Sequence, residues 1–482
     1  MHFPISLRIL GILLMLFSLT LLAPLALALA FQDGATAGFL SALGITFLSG
    51  LVLWLPTRNA RQELRTRDGF LITTLFWTVL GLYGSLPFAL HDGMDLDATD
   101  AIFESISGLT TTGATVITGL DDVPRSLLFY RQQLQWLGGI GIIVVAVAIL
   151  PMLGVGGMQL YQAETPGPSK DAKLTPRITE TAKALFFVYL SLTASCGVAY
   201  WLTGMSTFDA ICHAFSTVAI GGFSTHDASI GYFESAPIML VSCLFMYIAA
   251  INFGLHFTAW RRRSHRPYLA DSETVFFSAV LLVCIVITCS VLLVSKTFSP
   301  GEGVVHGLFQ AISITTTTGF VTSDFAHWPS FLPLMLLVFA VMGGCGGSTG
   351  GGIKAMRLML ISKQGVRELK QLVHPQAVIP LKVGKRRVEA QVVSAVWSFL
   401  AVYLVCFVML MIMLVATGLD FETAFSAVAA SLNNLGPGLG AVTYHYGGIN
   451  DAAKWLLCCA MLLGRLEVFT VLVLFTPAFW RP

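Results

Sequence analysis

Four segments of this 482-residue chain carry threonine, asparagine and glycine at the end of a short, moderately apolar stretch. They are Asp100-AIFESISGLTTTGA-Thr115, Asp209-AICHAFSTVAIGGF-Ser224, His306-GLFQAISITTTTGF-Val321 and Thr423-AFSAVAASLNNLGP-Gly438, and they align without gaps. In this register Gly113, Gly222, Gly319 and Gly436 coincide, and each copy opens on a small residue: Ala101, Ala210, Gly307 and Ala424. The chemistry open to such segments is that of the backbone carbonyl. Non-helical backbone at membrane depth is tolerated only inside protein or beside a water-filled cavity. Four such loops around one axis present rings of carbonyls that replace a cation's hydration shell. Glycine suits the task, because a backbone turned to present its carbonyls needs dihedrals that side chains disfavour. One Thr-Thr-Gly loop is commonplace, whereas four in one register form a repeat.

The elements that position these loops follow from composition. The chain is 55% hydrophobic and 11% charged, against about 25% charged in soluble proteins, so lipid is its solvent. Apolar runs of about 20 residues mark spanning helices. Ten are expected, at roughly 4–31, 36–56, 70–90, 127–152, 182–204, 235–260, 273–297, 330–360, 391–417 and 452–478. The apolar start of each repeat, about 10 residues, is too short to span and fits a re-entrant helix entering from outside. Its negative dipole end then points into the pore. Lys and Arg gather between alternate spans: within Arg58–Arg67, at Lys170, Lys173 and Arg177, at Arg261–Arg263 and Arg266, and from Lys363 to Arg387. That side, with both termini, reads as cytoplasmic. The opposite loops are acidic, with Asp92, Asp95, Asp97, Asp121, Asp122 and Asp227 among others. They serve either as ordinary solvated surface or as a negative field that gathers cations.

Two further features stand inside apolar runs. Gly343 to Gly352 holds seven glycines in ten residues, and glycine costs a helix interior about 1 kcal/mol relative to alanine, so an unwound stretch is expected. It is no phosphate loop, since Ile353-Lys354 follows it and no strand precedes it. A small-residue packing patch and an intramembrane gate are the two readings left. Arg465 lies within the last run, where a cation is costly enough to mark function unless it pairs, for instance with Glu467. The nine cysteines form no C-x-x-C pair and read as small hydrophobes.

These residues together resemble the TrkH type of the Trk/Ktr/HKT cation transporter superfamily. The motifs are TTTGAT at Thr110–Thr115, VAIGGFST at Val218–Thr225, SITTTTGF at Ser313–Phe320, SLNNLGPGLG at Ser431–Gly440, GGCGGSTGGGIK at Gly343–Lys354 and GRLEVFT at Gly464–Thr470. The resemblance covers essentially the whole chain. It implies an all-α polytopic membrane protein with four re-entrant pore helix-loops and a pseudo-fourfold pore. Two extra helices (1–60) precede pore repeats at 61–160, 161–266, 267–375 and 376–482. It implies a selectivity filter for potassium at Thr111, Thr112, Gly113, Ile220, Gly221, Gly222, Thr317, Thr318, Gly319, Asn434, Leu435 and Gly436, since serine in the first loop goes with sodium. It implies a gate at Gly343, Gly344, Gly346, Gly347, Ser348, Thr349, Gly350, Gly351 and Gly352, with Arg465 as an electrostatic barrier and Lys354 as a similar charge or a mere anchor. The expected setting is the bacterial cytoplasmic membrane, as a homodimer. The expected partner is a TrkA-like cytoplasmic ring that carries the nucleotide, NAD or ATP, so that this chain needs no cofactor beyond transported potassium. Nothing calls for nucleic acid.

Two other functional classes compete. An alternating-access symporter, coupling potassium to protons or sodium, would show broken helices at the midplane and two inverted halves. Here the repeats number four and run parallel, and few carboxylates lie inside spans. A membrane enzyme would need a motif such as H-E-x-x-H or paired carboxylates, and the sequence has neither.

Overall fold

The computed structural model describes residues 3–60, 66–91, 93–148, 178–329, 331–384 and 386–481. The chain opens with α1 (Phe3–Thr20), α2 (Leu22–Phe31) and α3 (Thr36–Thr57). Thereafter one order recurs four times: a long helix, a short helix with an irregular tail, and a returning helix. First come α4 (Thr66–Gly84), its short extension α5 (Leu86–Ala89), α6 (Ala98–Leu109) and α7 (Arg125–Ala148). Next are α8 (Ile178–Leu202), α9 (Thr207–Ala219), α10 (Ala236–Ala249) and α11 (Phe253–Arg262). A turn, α12 (Arg266–Ala270), leads to α13 (Ser272–Ser295), α14 (Pro300–Thr315), α15 (Leu332–Ala340) and α16 (Ala355–Val373). An antiparallel pair, β1 (Lys382–Val383) with β2 (Arg386–Arg387), precedes α17 (Ala390–Ala416), α18 (Phe421–Leu432), α19 (Asp451–Arg465) and α20 (Phe469–Leu472).

The long helices are built from residues that favour strands in water. α13 reads TVFFSAVLLVCIVITCSVLLV over most of its length. In an apolar solvent the helix prevails, because every backbone N–H and C=O must pair within its own segment. The sides turned away from the protein carry Leu282, Val283 and Val286 on α13 and Leu404, Val408 and Ile412 on α17, all exposed. The break between α1 and α2 falls where Pro24 excludes the carbonyl four residues earlier.

Among the described residues, six helical stretches are long and apolar enough to cross a membrane: Phe3–Phe31, Thr36–Thr57, Arg67–Ala89, Ala182–Leu202, Ser272–Ser295 and Ala390–Ala416. Two bent pairs, α10 with α11 at 94° and α19 with Phe469–Phe475 at 106°, bring the number to eight if each pair is one span. Two expected spans look different in the structure. The run at 127–152 is α7 as far as Ala148, with 149–152 outside the described residues. The run at 330–360 is α15, an irregular stretch and α16. Lys170, Lys173, Arg177 and the repeat boundaries at 61 and 160–161 also lie outside the described residues.

The four short helices begin alike. Asp97 accepts from the Asp100 backbone N–H at 2.7 Å, Ser206 from that of Asp209 at 3.1 Å, and Asp420 from that of Thr423 at 3.0 Å. Ser299 and Glu302 form a capping box. An N-cap of this kind is worth about 1 kcal/mol. Asp420→Ala is therefore expected to lower the thermal stability of the purified protein by about that amount, and Asp420→Asn, which keeps an acceptor, to preserve it. Melting of both variants in detergent checks this.

Candidate functional site

Each short helix ends the same way. The N–H of Thr112, Gly221, Thr318 and Leu435 donates five residues back, to Ser107, Ser216, Ser313 and Ala430, at 2.8–2.9 Å. The N–H of the preceding residue donates three back, to Gly108, Thr217, Ile314 and Ser431. This is the Schellman pair, whose central residue is left-handed. Here that residue is Thr111 (φ 54°), Ile220 (55°), Thr317 (67°) or Asn434 (53°). For L-residues the conformation costs about 1–2 kcal/mol, and a β-branched isoleucine there is a marked outlier. Two residues on, Gly113, Gly222, Gly319 and Gly436 are left-handed again, with φ of 79°, 80°, 83° and 98°.

The four tails close on one another. A Cβ placed on Gly113 would meet the carbonyl oxygen of Gly221; on Gly222, that of Thr318; on Gly319, that of Leu435; and on Gly436, that of Thr112. The contacts run from the first copy through the fourth and back to the first. The sequence-derived triplets Thr111-Thr112-Gly113, Ile220-Gly221-Gly222, Thr317-Thr318-Gly319 and Asn434-Leu435-Gly436 thus form a closed ring of backbone. Asn434 spans one seam directly, its Nδ2 donating to Thr112 Oγ1 at 2.9 Å.

The glycine stretch docks beneath three of these tails. Residues 343–352 carry no helix, in keeping with their composition. Thr349 Oγ1 donates to the Val218 carbonyl at 2.9 Å, Gly351 N–H to Thr317 Oγ1 at 2.8 Å, and Gly352 N–H to the Asn433 carbonyl at 3.0 Å. The stretch also satisfies the break between α10 and α11: Cys345 N–H donates to Ala250 and Gly347 accepts from Phe253 N–H, at 2.8 and 3.1 Å. Gly343, Gly344, Gly346, Gly347, Ser348, Thr349, Gly350, Gly351 and Gly352 therefore form one anchored unit. One carboxylate oxygen of Glu273 accepts from Gly346 N–H at 2.7 Å and from Met356 N–H at 3.1 Å.

Arg465 is buried and donates to the carbonyls of Thr349 and Gly138, each at 3.1 Å, tying the glycine stretch to α7. Its guanidinium lies 5.4 Å from the Trp77 ring centre. The Arg465–Glu467 pair considered from sequence does not form. The backbone turns left-handed at Glu467 (φ 53°) as α19 ends, and its carboxylate meets Arg357 Nη2 at 2.6 Å instead. Lys354 donates to the Gly350 carbonyl.

Comparison with known proteins places this geometry. A family model described as a TrkH cation transport protein matches residues 36–481. The Trk system potassium uptake protein TrkH of Halomonas elongata is 57% identical over 98% of both chains, and that of Escherichia coli 52% over the full length of both. The crystal structure of the potassium transporter TrkH from Vibrio parahaemolyticus superposes with a TM-score of 0.93, at 52% identity and complete coverage of both chains. The chain belongs to the TrkH family.

Several residues that hold this TrkH ring were not singled out from sequence. Glu104 and Arg131 form a fully buried ion pair at 2.8 Å behind the first tail. Gln135 Nε2 donates to the Gly221 carbonyl at 2.6 Å, and its Oε1 accepts from Phe223 N–H at 3.1 Å. Tyr446 donates to the Gly436 carbonyl at 2.7 Å and its N–H to the Thr115 carbonyl, also at 2.7 Å. The signal for the first pair was available, since an ionisable residue within a membrane segment is costly. The others are ordinary polar residues until the fold brings them together.

Just beyond the second tail, His226 Nδ1 lies 2.6 Å from Asp121, its Nε2 is 3.6 Å from Asp209, and its ring stacks on Tyr232. Burial opposes charge on the imidazole, but the nearby carboxylate of Asp209 and the hydrogen bond to Asp121 outweigh it and raise its pKa. Burial likewise opposes charge on Asp209, whose pKa the nearby His226 imidazole and the bonds from Ser206 and Thr225 pull down. A raised histidine contributes stability that is complete below its unfolded pKa of about 6.5 and is lost as pH rises through the folded value. The depressed aspartate adds its share above about 3.9 and loses it in acid. Thermal stability is expected to be higher at pH 6 than at pH 8.5, and His226→Gln to remove most of that difference, as melting curves at the two pH values report.

Proposed function

We propose that this chain is the pore subunit of a potassium uptake system, conducting potassium inward through a filter gated by the glycine stretch. The observation that carries the reading is the closed ring. Four left-handed glycines each admit a neighbouring carbonyl, and that packing leaves four strands of backbone oxygen around one axis. Carbonyl rings of this kind take the place of a cation's water shell. The relatives are named as potassium uptake proteins and the matched crystal structure as a potassium transporter, which names the cation.

In this reading the twelve triplet residues bind potassium, the chain crosses the bacterial cytoplasmic membrane ten times with four re-entrant helix-loops, and both termini face the cytoplasm. Residues 343–352 with Arg465 block the path below the filter. A cytoplasmic TrkA-like ring that binds NAD or ATP moves this block, and two copies of the chain assemble with one pore each. Recording from purified protein in planar bilayers tests the mechanism. Unitary currents reversing near the potassium potential are expected. Turnover-limited flux without unitary currents, coupled to protons or sodium, would overturn it.

Two variants probe the parts. Gly113→Ser places a side chain against the Gly221 carbonyl, so the reversal potential under mixed-ion conditions is expected to move toward sodium. An unmoved reversal potential in folded protein argues that these loops are not the filter. Arg465→Ala removes a fixed charge from the path. Two unit charges about 4 Å apart repel by about 1 kcal/mol in water and about 4 at an effective dielectric of 20. Rubidium uptake per folded molecule is expected to rise several-fold. If it falls or stays level, Arg465 is a structural tie between Thr349 and Gly138.

A further inference from the structure

The four repeats carry unequal support at one position. Nine residues before each ring glycine stand Glu104, His213, Gln310 and Ala427, on the buried sides of α6, α9, α14 and α18. Glu104 Oε1 meets Arg131 Nε at 2.8 Å, Thr115 Oγ1 donates to its carboxylate at 3.0 Å, and Val116 N–H donates to Oε2 at 2.9 Å. Arg131 reaches on: its Nη1 donates to the Ser224 carbonyl and its Nη2 to Thr115 Oγ1, both at 3.0 Å, over the Phe223 ring at 4.3 Å. His213 Nε2 bonds Ser224 Oγ at 2.9 Å. Gln310 has no partner for either amide atom among the described residues, and Ala427 has no polar group to offer. The bracing is thus ionic where the first and second tails meet, and absent in kind from the third and fourth.

We propose that the Glu104–Arg131 pair positions the first two filter loops and thereby sets the discrimination of potassium from sodium; this rests on the filter reading above. The pair grips Thr115 and Val116 just beyond Gly113, and Ser224 just beyond Gly222. The Gly113–Gly221 seam therefore lies between anchored strands. Charge-assisted hydrogen bonds are about twice as strong as neutral ones, and a fully buried pair is little screened by salt. A ring held open at this seam keeps its carbonyls at the spacing of the larger ion. A ring free to contract there coordinates sodium as well. Glu104 and Arg131 bind Thr115, Val116 and Ser224 and so act through the loops.

The test compares Glu104→Gln, the neutral double variant Glu104→Gln/Arg131→Gln, Glu104→Asp and Gly113→Ser in the full-length protein. Reversal potentials are read in bilayers with potassium and sodium on opposite sides, alongside potassium flux per folded molecule. Neutralising the pair is expected to raise sodium permeability relative to potassium by about tenfold, equivalent to about 1.4 kcal/mol, with potassium flux retained. Glu104→Asp is expected to fall between wild type and the neutral variants. The double variant guards against misfolding from a lone buried charge. A folded double variant with unshifted reversal, beside a shifted Gly113→Ser, overturns the proposal and leaves the filter standing. Unshifted reversal in Gly113→Ser as well removes the filter reading, and the proposal with it. If neither neutral variant folds, Glu104→Asp decides: a shift supports the positioning role, and wild-type reversal makes the pair a folding element only.

Discussion

Backbone polar groups that leave a helix within an apolar solvent must find partners in the protein, and most of this structure can be traced to that requirement. The chain leaves helical geometry at the four tails, at the glycine stretch and at the breaks after Ala249 and Arg465. These irregular places satisfy one another. The stretch from Gly343 takes the loose carbonyl of Ala250 and gives its Gly347 carbonyl to Phe253, and it reaches Val218, Thr317 and Asn433 from the tails above. Arg465 answers Thr349 and Gly138. Exposed to lipid, each of these segments would strand several donors and acceptors. Gathered around one axis they form a single polar core inside an apolar shell.

Much of this was legible in the sequence, for a definite reason. A fourfold repeat records a constraint that acts four times, so the register of Gly113, Gly222, Gly319 and Gly436 identified the turns before any geometry was known. The low helix propensity of seven glycines gave away the unwound stretch equally well. What escaped notice were contacts that occur once. Gln135 and Tyr446 are each bound to a ring carbonyl, and no periodicity marks them. The left-handed residues ahead of the glycines also stayed hidden, because threonine and isoleucine disfavour that region and only asparagine is enriched there. The surrounding Schellman bonds impose it. The Arg465–Glu467 pairing failed because the chain turns sharply as α19 ends, sending two nearby side chains to different neighbours.

The repeats share a backbone and differ in what stands behind it. Shared backbone is what a ring of oxygens needs, while the side chains packed against it are free to specialise. The first and second copies carry the ionic brace, whereas the second, third and fourth receive the glycine stretch through Val218, Thr317 and Asn433. The ring is therefore held partly by a buried ion pair between α6 and α7 and partly by a segment without regular structure.

That attachment has a thermodynamic consequence. The same bonds that seat residues 349–352 against the tails must break or lengthen if the stretch moves, so its position and the shape of the ring are not independent variables. Where a ligand and a conformational equilibrium share contacts, the effect is reciprocal: each changes the other's free energy by the same amount. An ion that favours one shape of the ring must favour one position of the stretch beneath it. Anything that displaces the stretch must, by the same factor, alter how tightly the ring holds whatever it binds.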